Sequence, residues 1–153
     1  MLTVEPDDLS RADTRALVRL HLADIAGDTA ADYRFALGID ALQASHIRLF
    51  AARENGVTIG IGAVADLFDG TGELKSMRTH PDHLRRGVAA LLLTCLVAEA
   101  RAMGWCRLSL ETGTSAPFAP AVALYRAHGF VDGPAFADYP ADSPHNQYLH
   151  LDL

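Results

Sequence analysis

The chain lacks an apolar run that could cross a bilayer. Its longest, Val88 to Ala98, is broken by Thr94 and stops at Glu99, well short of the roughly 18 residues a span needs. It lacks a leader as well: MLTVEPDDLS places acids where a signal peptide needs basic residues and then a greasy stretch, so a cytoplasmic protein is expected. Basic residues are in the minority, 13 Lys and Arg against 19 Asp and Glu for a formal charge of −6. With no basic stripe interleaved with aromatics, nucleic acid is excluded as a partner. Cysteine is scarce. Cys95 and Cys106 sit inside apolar patterns and read as reduced core residues rather than a disulfide. Histidine is not scarce, but its seven copies show no ligand spacing. His80 and His83 stand three apart in a loop, and His145 and His150 follow no pattern, so no metal site is expected. Repeats, low-complexity tracts and linkers are absent too, and residues 1–153 read as one domain.

What is present is a globular composition, half hydrophobic and 21% charged. Leu2 to Val4 reads as a first strand, and Asp8 or Ser10 as the cap of a helix over Arg11 to Ala26, where Leu17, Leu20 and Ile25 supply an apolar stripe. Between Gly27 and His46 the pattern is undecided, with a short helix over Ile39 to Ala44. Then the period changes to two. Ile47 to Arg53 and Val57 to Leu67 flank Glu54-Asn55-Gly56, a hairpin turn because Asn-Gly accepts positive φ cheaply. Gly60 and Gly62 predict a bulge or a close backbone approach in the second of these strands. Glu73 to Thr79 completes the meander. A helix over Arg86 to Met103 ends at Gly104, a strand covers Arg107 to Thr112, and a helix over Ala119 to His128 ends at Gly129. Phe130-Val131 and Tyr148 to Leu153 are the last strands. That order predicts an α/β (mixed α+β) fold with helices on the faces of one mixed sheet.

The segment Thr79-His80-Pro81-Asp82-His83-Leu84-Arg85-Arg86-Gly87-Val88-Ala89-Ala90 is the most informative. A strand ends, a loop carries two arginines and a glycine, and an almost uncharged helix begins. The first turn of a helix has backbone N–H groups without partners and a partial positive charge, which together attract anions. Gly87, Ala89 and Ala90 put little bulk in a ligand's way, and Arg85 and Arg86 add permanent charge. The segment lacks the Gly-Lys-Ser/Thr ending of a nucleotide P-loop and the spaced glycines of a dinucleotide fingerprint. Read alone, it is either a phosphate site or a plain loop before a core helix.

Two motifs together resolve that. Leu84-Arg85-Arg86-Gly87-Val88-Ala89 and, some 40 residues on, Leu124-Tyr125-Arg126-Ala127-His128-Gly129-Phe130 resemble the paired motifs of GNAT N-acetyltransferases, and the likeness runs from about Ile47 to Leu153. Leu84 stands where that family usually has Gln or Arg, and Phe118 where it often has Asn. The resemblance implies a mostly antiparallel central sheet with two strands splayed apart, and acetyl-CoA as donor. It also implies a pyrophosphate held at Leu84 to Ala90 by Arg85, Arg86, Gly87, Val88, Ala89 and Ala90. The pantetheine arm would lie along Met77, Arg78 and Thr79, with an oxyanion donor among the backbone N–H groups near Met77.

Acetyl transfer to an amine requires a group that takes the ammonium proton and one that returns a proton to the leaving thiolate. Glu73 and Glu111 are the candidate bases, each on a strand flanking the implied gap, and Tyr125 is the candidate acid. The bland readings are strand-end carboxylates paired with Lys75, Arg78 or Arg107, and a core tyrosine beside Leu124 and Phe130. Trp105 and the turn-rich loop with Asp138, Tyr139 and Asp142 are candidates for the acceptor pocket. The expected acceptor is a primary amine on a small or amino-acid-like molecule. Acetylation of a protein N-terminus or lysine, or a CoA-binding sensor without catalysis, are the alternatives. A homodimer is compatible with the family, although no residue pattern specifies an interface.

Overall fold

A computed structural model describes residues 1–29 and 35–153. The elements are β1 (Leu2–Pro6), α1 (Ala12–Asp28), α2 (Ile39–Leu42), β2 (Ile47–Glu54), β3 (Val57–Asp66), β4 (Gly72–Thr79), α3 (Val88–Ala102), β5 (Arg107–Gly113), α4 (Ala119–Ala127), β6 (Val131–Asp132) and β7 (Asn146–Asp152). Short 3₁₀ turns at Pro81–His83 and Ala116–Phe118 precede α3 and α4. The strands form one seven-stranded sheet in the order β1-β2-β3-β4-β5-β7-β6. It is a mixed, mostly antiparallel sheet with helices on both faces, as the order of elements predicted. Part of the undecided stretch between Gly27 and His46 lies outside the described residues.

Each face of the sheet has its own core. Leu17 and Val18 of α1 pack with Leu42, Leu49, Ile61 and Ala63. On the opposite face Leu92, Leu93 and Leu96 of α3 and Val122 of α4 meet Val64, Leu74, Leu108, Leu110 and Leu149. Alternation along β5 sorts the residues: Leu108 and Leu110 join this second core, while Ser109 and Glu111 point to the α1 side. Close approach of α3 requires Gly60, where a β-carbon would fall 2.8 Å from Val88 Cγ1 and 2.9 Å from Leu92 Cδ1. At the β2–β3 hairpin Asn55 (φ 52°) and Gly56 (φ 78°) are both left-handed, the turn that dipeptide favours.

Three local expectations are corrected. The residue preceding α1 is Arg11, with no side-chain cap; the Asp8 carboxylate instead accepts the Ser10 N–H at 3.0 Å. Helix α3 begins at Val88 rather than Arg86, because Arg85 (φ 60°) and Gly87 (φ 81°) are left-handed and cannot belong to a right-handed helix. Cys95 and Cys106 are free, but Cys95 is only half-buried and Cys106 is exposed, so neither is a fully buried core residue. Cys106 directly precedes β5, where its N–H donates to Gly70 C=O at 2.9 Å.

Candidate active site

β4 and β5 are the parallel neighbours of the sheet, and they pair at just two positions, Gly72 with Leu108 and Glu73 with Ser109. From there β5 continues along β7 as far as Gly113, while β4 continues along β3. A bulge drives the separation. The β3–β4 register shifts between Ile61 and Ala63, so that Ser76 and Met77 stand opposite Gly62, and Ser76 is left-handed at φ 58°. Bulges bend and overtwist the strand that carries them. Among the described residues, the β5-facing edge of β4 from Leu74 to Thr79 therefore has no strand partner.

Two openings meet in this gap. A groove runs past Arg78, Thr79, Leu84 and Ala89 toward the start of α3, bounded by Pro120 and Leu124 on the α4 side. A pocket on the other side is lined by Glu73, Lys75, Glu111, Phe35 and Tyr139. Tyr125, Met77, Phe118 and His21 line both. The structure thus gathers Glu73, Glu111, Met77, Arg78, Thr79, Leu84, Ala89 and Tyr125 at connected openings. Val88 is instead buried under Gly60, and Arg85, Arg86 and Gly87 are exposed at the mouth of the α3 helix. Arg86 is already paired, its Nη2 2.9 Å from both Glu54 carboxylate oxygens and its Nη1 2.8 Å from His83 Nδ1.

The second motif acts through helix termination. After α4 the chain turns left-handed at Gly129 (φ 95°), and the Phe130 N–H donates to Tyr125 C=O at 3.1 Å. Phe130 thereby enters the core with its ring 5.9 Å from that of Tyr125. Burial, with the Glu111 carboxylate nearby as a smaller cause, raises the Tyr125 pKa, so its hydroxyl stays protonated at any physiological pH.

The two glutamates differ in their surroundings. Glu73 is buried, and its Oε2 accepts hydrogen bonds from Lys75 Nζ at 3.1 Å and from the Tyr139 hydroxyl. Lys75 Nζ also donates to Tyr139 Oη at 2.7 Å, closing a triangle. It lies 5.5 Å from the Tyr139 ring centroid, which places it beyond the hydroxyl end of the ring rather than over its face. Glu111 is half-buried and accepts one hydrogen bond, 2.8 Å from Asn146 Nδ2. Burial pushes its pKa up, against smaller opposing effects of Asn146 and Lys75.

Of the loop residues expected at the pocket, Tyr139 reaches it while Asp138 and Asp142 stay exposed. Trp105 lies elsewhere, with its ring where a β-carbon on Gly72 would sit, 2.1 Å from Cε3. His21 escaped the sequence reading. Its one signal was a polar residue between Leu17 and Ile25 on the apolar stripe of α1.

A mixed sheet parted between two strands, with a helix N-terminus at one end of the gap and two carboxylates and a buried tyrosine at the other, defines an acyl-transferring enzyme. The chain belongs to the Acetyltransferase (GNAT) family, whose model matches residues 15–130, and is an N-acetyltransferase. It is 41% identical over 153 residues to the uncharacterized N-acetyltransferase YedL of Escherichia coli (strain K12), covering 100% of this chain and 96% of that protein. A solved structure from Klebsiella pneumoniae subsp. pneumoniae superposes with a TM-score of 0.80 at 27% identity, covering 100% of this chain and 98% of the other. A GNAT family acetyltransferase from Elizabethkingia anophelis, solved with acetyl-CoA bound, gives 0.73 at 18% identity, covering 99% and 98%. Among the described residues no helix is long and apolar enough to cross a membrane.

Proposed function

We propose that this chain, acting as one domain, moves an acetyl group from acetyl-CoA directly to the primary amine of a small, amino-acid-like acceptor within one ternary complex. The observation that carries the reading is the position of Tyr125 where the α3-side groove meets the carboxylate-lined pocket. A donor in the groove and an acceptor in the pocket would both touch it. Family membership and the acetyl-CoA-bound neighbour support the donor.

Under this reading the pyrophosphate sits on the N–H groups that open α3, with Arg85 and Arg86 adding charge. The free edge of β4 at Met77 to Thr79 holds the pantetheine arm as an added strand would be held. Glu111 is the base. Its carboxylate is engaged by Asn146, whereas the Oε2 of Glu73 is already taken by Lys75 and Tyr139. Glu111 takes a proton from the acceptor ammonium, the amine nitrogen bonds to the thioester carbon, and the carbon–sulfur bond breaks. As that bond breaks, Tyr125 gives its hydroxyl proton to the departing thiolate, and the proton that the amide nitrogen sheds in the same collapse restores the Tyr125 hydroxyl. Burial raises the Tyr125 pKa, and the same burial makes the thiolate more basic, so the transfer is not penalised from one side alone.

The test is thermal melting with acetyl-CoA, CoA, ATP and NAD in parallel, followed by thiol release across a panel of amines. Acetyl-CoA at 100 times its dissociation constant should add about 2.7 kcal/mol, a rise of several degrees that NAD does not produce. Stabilisation without thiol release from any amine would make the chain a CoA-binding module and overturn the catalytic reading.

A further inference from the structure

The acceptor end of the site contains a cation that acetyl transfer does not require. Lys75 is largely buried, its side chain 12% exposed, and it faces the same side of β4 as Glu73. An ammonium group has three N–H donors. Two are committed, to Glu73 Oε2 and Tyr139 Oη, and among the described residues the third has no acceptor. Glu73 offsets the Lys75 charge through their ion pair, so what Lys75 offers an acceptor is its unspent N–H, a charge-assisted donor that an acceptor carboxylate would satisfy best. Lys75 and Glu111 line the same pocket and lie close enough for the Lys75 charge to act on the Glu111 carboxylate. The pocket thus presents a spare N–H of Lys75 and the Glu111 carboxylate to one occupant, groups that suit an acceptor carrying both a carboxylate and an ammonium.

Beside this polar pair stands an aromatic corner. Phe35 and Tyr139 meet edge to face, 5.1 Å between ring centroids, and both line the acceptor pocket without reaching the donor groove. Phe136 and Tyr148 hold Tyr139 from behind, at 5.0 and 5.9 Å. Rings braced in this way offer a flat side chain a rigid edge-to-face contact.

We infer that the acceptor is a zwitterionic α-amino acid with an aromatic side chain. Its carboxylate takes the third Lys75 N–H, its ammonium faces Glu111, and its ring lies on the Phe35–Tyr139 corner. Lys75 is then a residue that sets specificity. The inference rests on the acetyltransferase reading above and narrows its acceptor.

The experiment compares phenylalanine, its decarboxylated amine phenethylamine, and alanine by thiol release at saturating acetyl-CoA, for the wild type, Lys75→Met and Lys75→Arg. A charge-assisted hydrogen bond in a buried site corresponds to roughly tenfold or more. The wild type should therefore prefer phenylalanine to phenethylamine by at least about that factor in kcat/KM, and should bind alanine more weakly through KM. Lys75→Met should bring the phenylalanine-to-phenethylamine ratio close to one, and Lys75→Arg should keep most of it. A purely structural Lys75 would lower both rates together and leave the ratio unchanged, which overturns the inference. So does a wild type that acetylates phenethylamine as well as phenylalanine, or alanine as well as phenylalanine. Those outcomes, and failure to acetylate any of the three while another amine is acetylated, leave amine acetylation standing, whereas failure with every amine of a wider panel removes both.

Discussion

Met77 fills the space that a side chain on Gly62 would need. A β-carbon at Gly62 would lie 2.6 Å from Met77 Sδ and 2.6 Å from Leu96 Cδ1. Gly62 is the residue opposite the β4 bulge, so it lets the bulged strand and helix α3 press on β3 at one point. Gly62→Ala must push Met77, Leu96 or both aside, an overpacking that costs about 1–3 kcal/mol. The melting midpoint should fall by several degrees, and, on the proposed placement of the pantetheine along the bulged edge, the KM for acetyl-CoA should rise. Thermal melting and donor titration read the two effects separately. An unchanged midpoint and KM would show that the bulge does not depend on this glycine.

The fold was readable from sequence wherever the determining chemistry is local. Asn55-Gly56 demands a hairpin, Gly104 and Gly129 end helices, and the Leu108/Ser109/Leu110/Glu111 alternation assigns each side chain its face. The site was readable only as far as those elements carry it. Lys75 sits 64 residues from Tyr139, and Arg86 sits 32 from Glu54; no spacing rule joins such partners. The same limit applies to the start of α1, which has no side-chain cap. Asp13, not Asp8 or Ser10, sits at its start, and the Asp13 carboxylate accepts the N–H groups of Thr14 and of Thr58 on β3, 45 residues away.

Tyr125→Phe removes one oxygen from a residue packed against Phe130 and leaves the ring in place. If its hydroxyl is the proton donor, kcat should fall by about 10²- to 10⁴-fold while the KM for acetyl-CoA changes little. Steady-state kinetics with the best amine of the panel checks this. Wild-type kcat in the variant would leave Tyr125 a core residue only.

The two glutamates should separate in a pH profile. Burial raises the Glu111 pKa, so its base form fails as pH falls, and the acidic limb of kcat/KM should lie above the ordinary carboxylate range. Glu111→Gln should remove that limb and lower kcat/KM by about two orders of magnitude or more. Glu73→Gln should keep the limb, since its main effect is to loosen Lys75 and Tyr139. The opposite assignment would make Glu73 the base.

On the proposed donor placement, Arg86 would exchange Glu54 for a phosphate. Its guanidinium is held by both Glu54 oxygens at 2.9 Å on an exposed surface, where such a pair contributes only about 0–1 kcal/mol. A doubly charged pyrophosphate on a helix N-terminus is the stronger partner. Glu54→Gln should therefore tighten acetyl-CoA binding, and Arg86→Ala should weaken it and flatten its salt dependence. Calorimetric titration at two salt concentrations distinguishes these from an Arg86 that serves only the Glu54 contact, for which neither change would alter affinity.

His21 should make the fold sensitive to acid. Burial first, and the Arg78 guanidinium second, lower its pKa from 6.5 to about 4, with Asp24 opposing them weakly. The pKa is depressed on folding, so between about pH 6.5 and 4 the unfolded chain binds the proton that the folded chain refuses. Stability from a neutral His21 is therefore present in full above pH 6.5 and is lost as pH falls through 4. His21→Gln has the same polarity without the titration, so its midpoint should fall less than that of the wild type between pH 7.5 and 4.5. Other acid-sensitive groups, such as Asp13 beside Arg11, are common to both proteins and cancel in the difference. Parallel curves would mean that the imidazole gains its proton without cost, by turning Nδ1, which in its buried position lacks a partner among the described residues, toward Asp24 or out into the groove.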